Sequence, residues 1–335
     1  MIVTHVGGPT ALVEIDGWRL LTDPTFDPAG THYRFGWGTS SHKTTDPALA
    51  LEDLPEIDVV LLSHDEHEDN LDIAGRALLE RVGTVVTTPP GARRLGRTEA
   101  RGAGQRGAVG APGTGTSRPP ARGAAGTPDT GDRRTAARDG AGTPGTGTGR
   151  PAARDGAGTP GTATRRPAHA GHPDVRGLAT GQRTELRAAG RPTLTVEATP
   201  ARHGPPLTRP LVGATSGFAV RREGSEQVLL WVTGDTVAHR ALDRFADGAD
   251  VDVMLVHGGG AQFRSTGPMR YTMTAPQAID LIARTRPRVA VPIHDEGWSH
   301  FRSDRTAFET ALASAPADVR ARVRILPLGA PTALT

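Results

Sequence analysis

Short apolar runs that each break off into histidine and aspartate constrain this chain more than any other feature. DVVLL runs into Ser63-His64-Asp65-Glu66-His67-Glu68-Asp69-Asn70, and VLLWV into Thr233-Gly234-Asp235-Thr236. VDVMLV ends in His257-Gly258-Gly259-Gly260, and VAVPI in His294-Asp295-Glu296-Gly297. A fifth cluster, Pro200-Ala201-Arg202-His203-Gly204, follows LTVEA. Uninterrupted apolar runs of this length read as strands buried on both faces. Imidazole and carboxylate at the ends of rigid strands are the fixed ligands that a hydrolytic zinc, manganese or iron site requires. Cysteine is absent, so thiolate ligands, disulfides and a cysteine nucleophile are excluded.

The rest of the chain alternates strands and helices. Ile2 to Val6, Ala11 to Ile15 and Trp18 to Thr22 read as a three-stranded meander, with turns at GGP and DG. Asp58 to Leu62, a helix over Leu71 to Arg81 and a strand over Thr84 to Thr87 follow. Later strands are expected at Leu194 to Ala198, Gly217 to Arg221, Gln227 to Thr233, Val251 to Val256, Val289 to Ile293 and Val323 to Leu326. Helices are expected near Val237 to Phe245, Ala275 to Thr285 and Arg305 to Leu312. Two halves, each with several strands and outer helices, predict an α/β (α+β) fold: a four-layer αββα sandwich whose site forms where strand ends converge.

Between the halves, residues 97–173 are dominated by Gly, Ala, Thr, Pro and Arg, with Val109 their one large aliphatic. AARDGAGTPGTGTGRP at 136–151 returns as AARDGAGTPGTATRRP at 152–167. Solenoid repeats carry apolar positions that stack into a core, and these units have none, so the segment is expected to be a disordered low-complexity insert. The expected organisation is therefore 1–96 and 174–335 as the two halves of one domain, split by 97–173. The insert carries 12 Arg against 5 Asp and Glu, whereas the whole chain is +3. The basicity thus belongs to the insert and is no sign of a nucleic-acid partner for the remainder; without aromatics for base stacking, the insert reads as a tolerated loop expansion. No run reaches the roughly 18 apolar residues of a membrane span. MIVTHVGGPTALVEIDG lacks a basic region before an apolar stretch, so a cytoplasmic protein is expected.

LLTDP (Leu20 to Pro24), LLSHDEHEDNLD (Leu61 to Asp72), TPARHGP (Thr199 to Pro205), TGDT (Thr233 to Thr236) and PIH (Pro292 to His294) occur in the order seen in one known family. On these motifs the chain resembles the metallo-β-lactamase superfamily, in the branch of L-ascorbate-6-phosphate lactonase-like and N-acyl-phosphatidylethanolamine phospholipase D-like proteins. The resemblance covers everything except the insert. It implies the metallo-β-lactamase sandwich and a centre for one or two zinc ions, with manganese as an alternative. It also implies that His64, His67 and His203 hold one ion while Asp69, Asp235 and His294 hold the other. The family's HxHxDH signature fits with one extra residue, and its last histidine falls on Asn70, a weaker ligand than imidazole. That departure implies a less tightly held second ion, a preference for a harder ion, or a one-metal enzyme. An ungapped alignment instead puts Glu66 in the second ligand position and Glu68 at the aspartate.

The expected activity is hydrolysis of a small ester, lactone or phosphodiester by a metal-activated water. Asp69 and Asp235 are candidates to orient that water and carry its proton, and His257 or His300 to protonate the leaving group. Two other readings share the residues: a nuclease or phosphodiesterase, and a non-catalytic metal-binding scaffold contacting partners through the basic insert. THYRFGWGTSSHK suggests a lid offering Tyr33, Phe35 or Trp37 to a small-molecule substrate. Asp23 is a candidate to orient a histidine or cap a turn, and Gly258 to Gly260 read as a tight turn. His5, His32, His42 and His239 read as ordinary polar residues, and His169 and His172 are not expected to bind metal.

Overall fold

The apolar runs pair edge to edge into two sheets, and the direction of each pairing decides where the polar ends go. The computed structural model describes residues 1–36, 38–106, 172–206 and 208–334. The expected lid contact Trp37, His169 and most of the repeat segment lie outside these residues. Met1–Arg106 and the described residues from 172 onward belong to one compact unit.

The first sheet begins as an antiparallel meander, β1 (Ile2–Gly7), β2 (Thr10–Ile15) and β3 (Trp18–Thr22). The hairpin β4 (His32–Gly36) and β5 (Thr39–His42) stands apart as its own two-stranded sheet. Next to β3, β6 (Val59–Leu61), β7 (Thr84–Thr87) and β8 (Asp174–Gly177) add in parallel. The second sheet takes β9 (Arg183–Leu186), β10 (Leu194–Thr199), β11 (Gly217–Arg222), β12 (Val228–Val232), β13 (Val251–His257) and β14 (Val289–Ile293) in spatial sequence. The short β15 (Thr332–Ala333) returns to pair antiparallel with β1.

Because successive strand residues face opposite sides, each apolar run feeds two cores. Val13, Leu20 and Leu61 from the first sheet meet Val196, Phe218, Leu230 and Leu255 from the second between the sheets. On the far side of the first sheet, Leu12, Leu21 and Val60 pack with α1 (Ile73–Leu79) and with Leu95 of α2 (Pro89–Arg106). On the far side of the second, Trp231 and Met254 pack with Leu242, Ile279, Ile282 and Phe308. After the short α3 (Arg209–Val212), these come from α4 (Arg240–Gly248), α5 (Ala275–Thr285) and α6 (Arg305–Ala313), with α7 (Ala317–Arg320) beyond. The result is the four-layer αββα sandwich expected from the sequence.

Several boundaries differ from expectation for local reasons. The helix expected over Leu71 to Arg81 starts at Ile73, because Asp72 caps it by accepting the amide of Gly75 at 2.8 Å. The helix expected from Val237 starts at Arg240, capped by His239. α2 runs to Arg106, past the expected start of the insert at residue 97. Val323 to Leu326 is not a strand: only Val323 bridges to Ala290 of β14. Ala290 donates to Arg322 and accepts from Arg324. The next β14 residue facing that side is Pro292, which has no N–H with which to extend the ladder.

Candidate metal centre

Strand direction brings the polar clusters to one edge. β12, β13 and β14 are parallel, so Asp235, His257 and His294 all emerge at their C-terminal ends. β10 and β12 each run antiparallel to β11, so β10 points the same way and delivers His203 there. In the first sheet β3 and β6 are parallel, which puts Asp23 beside Ser63; the Ser63 amide donates to Asp23 Oδ1 at 2.6 Å.

Two triplets of ligand-type atoms result, each with all atoms within 4.8 Å of one another: His64, His67 and His203, and Asp235, His257 and His294. In the first, His64 Nε2 and His203 Nε2 each lie 3.1 Å from His67 Nδ1. Ligands bonded to one zinc at ~2.0–2.1 Å with tetrahedral angles stand about 3.4 Å apart, so the spacing suits a shared cation. His203 Nδ1 donates to the carbonyl of Tyr271 at 3.0 Å, leaving Nε2 with its lone pair turned inward. Burial, with the imidazoles of His203 and His64 alongside, lowers the pKa of His67 to about 3. Burial also lowers that of His203 to about 4, against the pull of Asp235. Both therefore stand neutral at neutral pH, the form that binds metal.

In the second triplet, His294 Nδ1 is 2.8 Å from Asp235 Oδ1, yet neither atom makes a hydrogen bond, and both residues are fully buried. Burial opposes a charge on His294, but Asp235 and Asp69 outweigh it and raise its pKa to about 10 when no cation is there to compete. Buried polar groups are almost always paired. Asp69 Oδ1, Asp235 Oδ1, His257 Nε2 and both ring nitrogens of His294 have no hydrogen-bond partner, a set of convergent donors that a divalent cation fits.

Asp69, expected with Asp235 and His294, stands 3.6 Å from His294 Nε2 and is bound by His300 Nε2 at 3.1 Å. His257, expected only as a proton donor, also stands with Asp235 and His294. Burial alone would raise the Asp69 pKa, but His294 and His300 hold it well below the usual carboxylate range. Asn70 turns its amide to Asp235 Oδ2, donating at 3.2 Å. Glu66 pairs with Arg94, and neither Glu66 nor Glu68 joins a triplet.

A cavity of about 140 Å³ opens onto His67, Asp69, His203 and His300, walled by Phe35, Val212, Phe263 and Tyr271. Phe35 of β4 packs against His67, Phe263 and His300 at ring separations of 5.5–5.7 Å. His300 stacks on Phe263 and accepts or donates at Ser41 Oγ through Nδ1 at 2.6 Å. Tyr33 does not reach the cavity: it is buried, with its hydroxyl on Asp27. His5 is not a surface residue but fully buried, its Nε2 on the carbonyl of Gly8 at 3.0 Å. His32 and His42 pack against each other across the hairpin, ring centres 5.0 Å apart and tilted by 34°. Phe263, Tyr271 and Ser41 were not among the expected site residues, since no polar cluster or strand end marks them.

A model of the Beta-lactamase superfamily domain matches residues 150–294. Over 73 residues, 22% of this chain, the sequence is 38% identical to an uncharacterized protein of Mycobacterium tuberculosis. Over 72 residues, also 22% of this chain, it is 35% identical to the N-acyl-phosphatidylethanolamine-hydrolyzing phospholipase D 1 of Caenorhabditis elegans. These matches span only 18% and 19% of the two relatives' lengths. Among solved structures, one described as a possible metal-dependent hydrolase from Veillonella parvula superposes with a TM-score of 0.64. It is 15% identical, and the match covers 99% of this chain and 98% of that one. At that identity the likeness is one of fold.

Proposed function

We propose that the chain, whose residues 150–294 match a model of the Beta-lactamase superfamily domain, is a metal-dependent hydrolase acting on a small uncharged ester or lactone. The observation that carries this reading is the pair of imidazole and carboxylate triplets gathered at one edge of the sheets, with His67 and His203 of the first opening onto an aromatic-walled cavity. His64, His67 and His203 hold one divalent cation, zinc or manganese; Asp69, Asp235 and His294 are the family's set for a second. When bound, the cation supplies Lewis acidity to the scissile carbonyl and to water.

The chain's own groups do the rest. Asp69 Oδ2 holds His300 by its Nε2, and His300, so fixed between Asp69 and Ser41 at the cavity wall, hands a proton to the leaving group. Phe35, Phe263 and Val212 exclude bulk water and seat an apolar acyl part. Among the described residues no Lys or Arg lines the cavity, which favours an ester or lactone over a phosphodiester, whose negative charge would need a cationic partner.

The test is hydrolysis of small p-nitrophenyl esters and lactones beside bis-p-nitrophenyl phosphate, with metal content measured on the same preparation. Ester turnover abolished by a chelator, restored by zinc or manganese and lost in His64→Ala supports the reading. Full metal occupancy with no turnover of any ester or lactone overturns it.

A further inference from the structure

Asn70 stands where the family pattern has a histidine, and its side chain is already engaged: Nδ2 donates to Asp235 Oδ2 at 3.2 Å, and Oδ1 accepts from Ser63 Oγ at 3.5 Å. Asn70 therefore orients Asp235. We propose that His257 supplies the missing imidazole, so that a second divalent cation binds Asp235, His257 and His294, with Asp23 facing the free nitrogen of His257.

The tautomer of His257 carries the argument. Thr233 Oγ1 spends its proton on the carbonyl of Gly234 at 3.1 Å, and accepts from the His257 amide at 3.0 Å. Its 3.3 Å contact with His257 Nδ1 is thus made by a ring N–H, which leaves the lone pair on Nε2. That nitrogen is wholly buried, without a hydrogen-bond partner, and 3.7 Å from Asp23 Oδ2, which is also unpartnered. A lone pair and a carboxylate oxygen so placed are too far apart for a hydrogen bond. They stand near the separation of two atoms sharing one cation, about 3.4 Å for bonds of roughly 2.1 Å. Asp235 Oδ1 and both ring nitrogens of His294 are equally buried and unbonded, and the three residues bring one ligand atom each within 4.8 Å of one another.

The backbone is bent to aim these groups. Asp23 and His294 both adopt left-handed conformations, φ +29° and +57°, which non-glycine residues hold only when the surroundings fix them. Asp23 is pinned through its amide to the carbonyl of Leu61 at 3.1 Å and through Oδ1 to Ser63; the His294 amide is pinned to the carbonyl of Gly8 at 2.8 Å. A set of two imidazoles and a carboxylate, without sulfur, suits zinc, manganese, cobalt or iron.

This inference rests on the reading of the site as a metal centre, and metal counting separates the two. The full chain, stripped and reloaded with zinc or with cobalt(II), is measured for ions per chain and for the cobalt absorption spectrum. Wild type is expected to hold two ions, Asn70→Ala two, and His257→Ala and His257→Gln one each. In Asp23→Asn, which keeps the size of the side chain, the second ion should be at least about tenfold weaker in chelator competition. Circular dichroism of each variant reports folding, and Asp23→Asn stands in if the His257 variants do not fold. A His257 variant that keeps two ions, or an Asp23→Asn variant with unchanged second-site affinity, overturns the proposal. A wild type with one ion overturns it while leaving the hydrolase reading intact; a wild type with none overturns both.

Discussion

At the start of α4 the imidazole of His239 accepts the amide of Leu242 through Nδ1 at 3.4 Å, a capping role more often filled by Ser, Asp or Asn. Burial, with Arg202 nearby, lowers its pKa below the ordinary 6.5. Between that lowered value and 6.5 the unfolded chain binds more protons than the folded one, so stability rises with pH across the window. The contribution is complete above 6.5 and is lost as pH falls toward the folded-state pKa. His239→Asn keeps a cap acceptor but does not titrate. Its denaturation midpoint should therefore vary less than that of wild type between about pH 5 and pH 7, and His239→Ala should cost ~1 kcal/mol at neutral pH. An unchanged pH slope in the asparagine variant would remove His239 as the titrating cap.

The turns that follow β13 and β14 show why the site tolerates so little change. A Cβ on Gly259 would lie 2.1 Å from the carbonyl oxygen of His294, so only glycine lets the two turns touch. Gly259→Ala should displace His294 and cut ester turnover by about 100-fold, the size of loss that a ~1 Å misplacement produces, while circular dichroism stays native. Undiminished turnover would show that His294 can move without consequence. The same elements mark how far the sequence was legible. The meander strands, β7 and β14 could be read because apolar runs between turn residues have one good solution, a buried strand, and α5 because its apolar residues recur at helical spacing on one face. The edge strands β8 (DVRG), β9 (RTEL) and β15 (TA) carry no apolar pattern and exist only because a neighbour offers a ladder. α2 did leave a signal: Thr88 Oγ1 accepts the amide of Gly91 ahead of the Pro89–Pro90 start. Of the site, the residue types at strand ends were readable. Which carboxylate joins which histidine was not, because that depends on side-chain directions across two sheets: His257, expected only as a proton donor, stands within a triplet with Asp235 and His294, and Asp69 lies 3.6 Å from His294 Nε2.

At the scale of the whole molecule, β7 and β8 lie side by side although the long repeat segment separates them in sequence, with Thr84 opposite Asp174 and Thr87 opposite Gly177. Loop closure grows costlier only slowly with length, so a long segment at this point is tolerated. Replacing residues 107–166 with a short Gly-Ser linker should leave the melting temperature within a few degrees of wild type and ester turnover unchanged. A collapse of either would give the repeat segment a part in the fold or the reaction. No helix among the described residues is long and apolar enough to cross a membrane. The first sheet is woven from both sides of that segment, since β8 and β15 come from after it and β1, β2, β3, β6 and β7 from before it. Severing the backbone between them would leave two pieces laced together by main-chain hydrogen bonds and a common interior, which travel as one particle under native conditions and part only in denaturant.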